Sequence, residues 1–333
     1  MQTVIVIGMI ISTPSRALAA GLLLAVPVAL SACGTSGEST STSTVAGDCP
    51  TTPVNVVVSV DQWGKIVSSL AGACANVTTV LAGSSVDPHD FEPSPSDAAA
   101  FSGAQLVVIN GGHYDEWAAK LAESTAPDAY VVDAIAILGG DHAGHDHDHE
   151  GHERGAGTNP HAWYSPAAVT DVAAAVTAKL TEIAPAAGEY FNSRHTEFAE
   201  ALAPYDALIA KIKARAPGKT YAATESLFDD MAAALGLANR TPQGYQVASS
   251  NESDPSPADL DAFLRLLSDR GADVLIYNTQ TEGSVPQQLR AAAEEAGIPV
   301  VDVTETLAPD APTFEAWQVD QLTALAEALG IEP

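Results

Sequence analysis

A chain of 333 residues carries 42 acidic and 14 basic side chains, a formal charge of −28. A field of that sign gathers cations and repels polyanions, which excludes nucleic acid as a partner. The length allows two lobes, and an apolar fraction of 46% can supply a core for each.

The first 32 residues hold one charged side chain, Arg16, and then an apolar run from Ala17 to Leu30. A basic residue, a short apolar stretch and small residues before a cut are the layout of a signal peptide. The run is too short for a comfortable membrane span, and Met9 is an alternative start. Leu30-Ser31-Ala32-Cys33 resembles a bacterial lipobox, which implies cleavage before Cys33 and a diacylglyceryl anchor on its thiol. The expected location is therefore extracytoplasmic, tethered to the bacterial cell membrane. Residues 33–48, rich in Ser, Thr and Gly, read as a lipidated flexible tether. Cys49 and Cys74 are then left as an even pair in an oxidising compartment, and the simple expectation is a disulfide.

Short apolar runs at 54–60, 77–82, 106–109, 130–132, 220–223, 274–277 and 300–303 read as buried parallel strands. Amphipathic stretches at 115–123, 226–235, 286–296 and 314–329 alternate with them, the pattern of doubly wound sheets. One unit occurs twice. Ser94-Pro95-Ser96-Asp97 is echoed by Ser256-Pro257-Ala258-Asp259, each with a Ser N-cap, a Pro at the first helical position and an Asp in the first turn. Both helices feed a strand closed by an asparagine, Asn110 and Asn278. The predicted fold is α/β, with two similar doubly wound lobes over 49–184 and 216–333. Residues 185–215, with no strand on either side, are expected to form a long connector helix.

Five of the nine histidines fall within 141–152: His142, His145, His147, His149 and His152. They alternate with Asp and Glu and have no apolar neighbour to bury, so the segment reads as a solvated loop. Imidazole suits zinc, copper and nickel, which makes the loop an auxiliary metal trap. His89 and His161 are different, because each sits in a Pro-stiffened loop, Asp87-Pro88-His89 and Asn159-Pro160-His161, where a ligand is held with little reorganisation. His195 falls on the connector and reads as a surface residue. His113 follows Gly111-Gly112 at a strand end and is a weaker candidate.

The motif Asp87-Pro88-His89-Asp90-Phe91-Glu92-Pro93, the His-rich loop and Asn159-Pro160-His161-Ala162-Trp163, in that order, resemble the solute-binding lipoproteins of zinc and manganese ABC importers. The resemblance covers the whole mature chain. It implies two α/β lobes joined by a rigid helix, with one ion in the interlobe cleft and no catalysis. It carries the N-lobe ligands onto His89 and His161, and the C-lobe ligands onto Glu225 and Glu305. Independently, Glu225 and Glu305 lie just past strand carboxyl ends, where ligands bind in open α/β sheets. Asp302 competes with Glu305, but strand alternation disfavours it.

The expected cargo is one Zn2+, with Mn2+ the alternative. Two carboxylates pull toward manganese, whereas the Irving–Williams order and five loop imidazoles pull toward zinc. The expected partner is a membrane ABC permease, and the expected state a monomer. Two readings of another class stand beside this one. An exported zinc-dependent hydrolase needs an open metal position and a nearby base, and no His-Glu-x-x-His motif is present to provide them. A metal-carrying surface adhesin is the other.

Overall fold

The computed structural model describes residues 49–83, 91–139, 159–251, 253–281, 283–307 and 311–333. The leader, Cys33, the tether, His89 and the His-rich loop lie outside the described residues. So do the residues on which the lipid anchor and the auxiliary trap depend.

In chain order the first half runs β1 (Val54–Val60), α1 (Asp61–Ala71), β2 (Ala75–Leu81), α2 (Pro95–Phe101), β3 (Leu106–Ile109), α3 (Glu116–Thr125), β4 (Tyr130–Asp133), α4 (Ala134–Leu138) and α5 (Pro166–Ile183). After α6 (Gly188–Ala201) and α7 (Ala203–Arg215) come β5 (Thr220–Ala223), α8 (Asp229–Leu235), β6 (Ala238–Asn239), α9 (Gln243–Ser250), α10 (Pro257–Ser268), β7 (Val274–Asn278), α11 (Ser284–Ala296), β8 (Val300–Val303) and α12 (Phe314–Ala328).

The strands form two four-stranded parallel sheets, β2-β1-β3-β4 and β6-β5-β7-β8. In each half the first strand lies inside, the second beside it at one edge, and the third and fourth on its other flank. The repeated helix–strand unit falls at the same place in both, since α2 leads to β3 and α10 to β7. Both helices start as their sequence predicts. The Ser94 hydroxyl accepts from the Asp97 N–H at 3.4 Å, and Asp97 Oδ2 accepts from the Ser94 N–H at 2.7 Å. Ser256 Oγ accepts from the Asp259 N–H at 3.2 Å. Strands β3 and β7 are buried along their whole length, as a central position in a covered parallel sheet requires.

The segment between the sheets differs from a single helix. A short 3-10 turn at Pro185–Ala187 precedes α6, and the helix is interrupted at Leu202 before α7 begins. Pro204 stands in the first turn of α7. It has no N–H to give to the preceding turn, so a helical run cannot pass through it without losing a bond. The interruption has a meaning in the packing: α6 lies on α1 and α5 of the first lobe, whereas α7 lies on α8 and α12 of the second.

One continuous core runs through both lobes, from Val56, Trp63 and Leu106 to Phe228, Val274 and Trp317. Aromatic rings bridge it. Tyr164 meets Trp163 on one side and Phe228 and Trp317 on the other, at centroid distances of 5.5–6.5 Å. Cys49 and Cys74 form a disulfide, Cα atoms 4.9 Å apart, that ties the start of the described chain to the turn before β2. Among the described residues no helix is long and apolar enough to cross a membrane.

Candidate metal centre

Three potential ligand side chains converge where the carboxyl ends of the second sheet meet the first lobe. A ring nitrogen of His161 and one carboxylate oxygen each from Glu225 and Glu305 all lie within 4.8 Å of one another. His161 Nε2 is 3.5 Å from Glu225 Oε1 and 3.7 Å from Glu305 Oε1. These gaps are too wide for good hydrogen bonds, and a cation placed among the three can reach all of them.

Local structure explains each position. β5 ends at Ala223, and Glu225 continues in extended conformation before a tight turn at Ser226–Phe228, so its side chain leaves the sheet at the carboxyl edge. Glu305 stands two residues past the end of β8. Strands β5 and β7 flank the point where the strand order reverses, the place where open α/β sheets bind their ligands. His161 follows Pro160 and precedes a one-turn helix, Ala162–Tyr164, and Ser165 then caps α5 with Pro166 behind it.

The histidine is fixed by Asn159. Its Oδ1 accepts from the His161 main-chain N–H at 3.2 Å and lies 2.8 Å from His161 Nδ1, while its Nδ2 donates to the Ser226 carbonyl at 2.9 Å. An amide turned this way makes Nδ1 the protonated nitrogen and leaves Nε2 facing the carboxylates. The same amide joins the two lobes next to Glu225. Asn110, just past β3, donates from Nδ2 to the Pro160 carbonyl at 2.7 Å and accepts from Trp63 Nε1 at 3.0 Å, which fixes the loop from below. The His161 ring stands edge-on to both Trp163 and Tyr114, whose own centroids lie 4.8 Å apart.

The acidic side chains have partners of their own. Asn278 Nδ2 donates to Glu225 Oε2 at 2.7 Å and lies 3.3 Å from Glu305 Oε1. Thr281 Oγ1 gives a second hydrogen bond to Glu225 Oε2, also at 2.7 Å. Glu305 is also secured through its backbone, because Gln62 Nε2 donates to its carbonyl at 2.7 Å.

Charge in this pocket is strongly coupled. Burial alone would push the His161 pKa down, but the carboxylates of Glu305 and Glu225 outweigh it and raise the imidazole above its ordinary value. Burial would push Glu225 up, but His161, Asn278 and Thr281 together hold it below the usual range. The pocket therefore favours an ionised Glu225 and a compensating positive charge.

Other sequence candidates stand elsewhere. His113 is exposed and contacts Glu116 at 2.9 Å. His195, expected at the surface, is half-buried on α6 and bonds Thr177 Oγ1 at 3.1 Å, linking that helix to α5. Asp302 points outward and pairs with Arg290 at 2.6 Å, as strand alternation requires. The residues that the sequence did not single out are Asn159, Asn278 and Thr281. Of these, Asn278 was visible as the strand-closing asparagine of the repeat.

A sequence profile of the zinc-uptake complex component A, ZnuA, a periplasmic protein, matches residues 56–328. The chain belongs to the ZnuA family. That family consists of substrate-binding transport proteins, not enzymes, which removes the hydrolase reading. Relatives of this ZnuA-family chain include the zinc-binding lipoprotein AdcA of Streptococcus pneumoniae, 26% identical over 62% of this chain and 41% of that protein. The high-affinity zinc uptake protein ZnuA of Bacillus subtilis is 26% identical over 63% and 66%. The manganese-binding lipoprotein MntA of Halalkalibacterium halodurans is 29% identical over 49% of each chain. The aligned region thus spans about 41% of the AdcA length. Among solved structures, the periplasmic zinc-binding protein TroA of Treponema pallidum superposes with a TM-score of 0.66 at 18% identity, covering 83% of this chain and 99% of that one. The Pseudomonas aeruginosa binding protein FpvC, solved with Mn2+, gives 0.65 at 19% identity, covering 84% and 98%. These likenesses establish the fold.

Proposed function

We propose that the chain captures one divalent transition-metal ion outside the cytoplasm, zinc in preference to manganese, and delivers it to an ABC-type membrane permease. The ligands are His89, His161, Glu225 and Glu305. The observation that carries this reading is the convergence of His161 with Glu225 and Glu305, an imidazole from one lobe and two carboxylates from the other. Buried acids that share a pocket repel one another, and a cation relieves that repulsion. Imidazole and carboxylate both suit zinc, and zinc stands above manganese in affinity for such a set.

In this reading a lipid on Cys33 holds a monomeric domain at the bacterial cell membrane. His142, His145, His147, His149 and His152 concentrate ions near the cleft, and the strongly acidic surface assists them. The membership in a zinc-uptake family and the relatives named for zinc support the choice of metal. The test is elemental analysis of the soluble domain followed by competition titration with zinc and manganese. One tightly held zinc per chain is expected. A site that takes up manganese in the presence of equal zinc removes the proposed preference, and a chain that binds neither removes the function.

A further inference from the structure

The two acidic side chains are not held alike. Glu225 turns Oε1 toward His161, whereas Oε2 accepts two 2.7 Å hydrogen bonds, from Asn278 Nδ2 and Thr281 Oγ1. Glu305 meets the same amide only at 3.3 Å, through the oxygen that also faces His161. The orientation of the Asn278 amide is determined, since its Oδ1 accepts from the Gln280 N–H at 3.0 Å and only Nδ2 is left for the carboxylates. Its main-chain N–H donates to Thr224 Oγ1 at 3.2 Å, and the side chain is 2% exposed, so it has nowhere to turn. The equivalent residue of the first sheet, Asn110, gives its Nδ2 to a main-chain carbonyl instead. Closing the third strand therefore does not require an asparagine aimed at carboxylates, and the arrangement in the second lobe has another purpose.

We propose that Asn278 and Thr281 are specificity-determining positioning residues that restrict Glu225 to one metal-binding oxygen and so bias the cleft toward zinc over manganese. An oxygen already accepting two short hydrogen bonds has little lone-pair density left for a cation, and a metal drawing on it must first break both. Zinc is satisfied with four ligand atoms. Manganese favours oxygen-rich, six-coordinate surroundings, which a two-oxygen carboxylate helps to supply. Holding Glu225 to a single donor atom keeps the coordination number low, a penalty that falls on the larger shell. The side chains around a metal's ligands commonly change affinity by about 10–100-fold, so a pair of such bonds is sufficient for a selective effect.

This inference rests on the proposed metal capture, and the experiment separates the two. Zinc and manganese affinities are measured by competition for the unaltered chain and for Thr281→Val, Thr281→Ser and Asn278→Leu. Co2+ is added to each as a spectroscopic probe, since four-coordinate Co2+ absorbs visible light far more strongly than six-coordinate Co2+. Thr281→Val is expected to lower the zinc-to-manganese affinity ratio by about ten-fold and to weaken the Co2+ band. Thr281→Ser, which keeps the hydroxyl, should retain both. Asn278→Leu should act in the same direction as Thr281→Val. If the unaltered chain binds zinc and Thr281→Val keeps the same ratio and spectrum, the inference is overturned while metal capture stands. If the unaltered chain binds no metal, both fall. Should Asn278→Leu not fold, the Thr281 pair decides the matter alone.

Discussion

Gln62, in the first turn of α1, donates its side-chain amide to the main-chain carbonyl of Glu305 at 2.7 Å. The loop that carries Glu305 is thereby suspended from the first helix of the first lobe. Gln62 is fully buried, and its Nε2 also lies 3.3 Å from the Tyr114 hydroxyl. Gln62→Leu leaves the Glu305 carbonyl without this donor. A loss of about 1–3 kcal/mol in the stability of the metal-free protein is expected, together with a roughly ten-fold weaker zinc affinity. Denaturant unfolding and zinc titration check the two effects separately, and a variant that loses stability but binds zinc unchanged would detach Gln62 from the site.

Zinc should stabilise the folded chain by mass action, about 4 kcal/mol at a free concentration a thousand times the dissociation constant. His161→Ala and Glu305→Gln should each lose most of the zinc-induced rise in melting temperature. Because burial favours neutral side chains, Glu305→Gln need not be less stable than the parent without metal, whereas His161→Ala leaves a cavity and an uncompensated acid and should be less stable. Calorimetry with and without zinc measures both quantities.

Deleting residues 141–152 is expected to leave the affinity for the first ion nearly intact and to lower the total number of ions bound. Equilibrium dialysis against zinc counts them. A deletion that abolishes the tight site would place one of its ligands in the loop.

Asp115 gives the metal-free protein a pH dependence of defined sign. Burial raises its carboxyl to about 6, against hydrogen bonds from the N–H groups of Asn110 and Gly111 that favour the ionised form. Between roughly pH 4 and pH 6 the folded chain binds a proton at this group that the unfolded chain has released. The resulting stability is fully present below about pH 4 and is lost as the pH rises through 6, a difference of about 3 kcal/mol. Asp115→Asn should be less stable overall, since its amide nitrogen would face one of the two N–H donors. It should also lack this portion of the slope. Unfolding of both proteins across pH 4–7 in the presence of a chelator is the measurement.

Cys49 and Cys74 close a loop with a sequence separation of 25 residues. Replacing both by Ser is expected to cost about 3 kcal/mol, mainly through a freer unfolded chain. The folded site should keep its zinc affinity, because the disulfide does not reach the acidic pair. Unfolding and zinc titration of the double variant test this.

The sequence announced the architecture clearly because a covered parallel sheet demands nearly unbroken apolar strands, and Leu106–Ile109 and the first four residues of β7 supply them. Glu225 and Glu305 came from the family resemblance, and their places just past strand ends agree with it, since topology sets the position of such residues. The two-residue strand β6 was not legible, since it is too short to carry a period and both residues are exposed. The interruption at Leu202 was overlooked although Pro204 is plain in the chain, because the surrounding Ala and Leu pattern reads as one helix. The bonds of Asn159 to Ser226 and of Asn278 and Thr281 to the acids were beyond reach, since they join segments far apart in the chain, and polar residues in loops give no periodic signal. Asn278 was recognised as a repeat landmark, but only the structure assigns its amide to the two acids.

Among the described residues the backbone passes between the halves through α6 and α7, yet the apolar interior is shared across that boundary and Tyr164 meets rings from both halves. Prising the halves widely apart would wet that seam and expose Phe228 and Trp317, at a cost that grows with every ångström of separation. In the proposed capture of a metal ion, loading and unloading would therefore proceed by small excursions of the two acid-bearing loops and the Pro160 turn, with the rest of the scaffold nearly still.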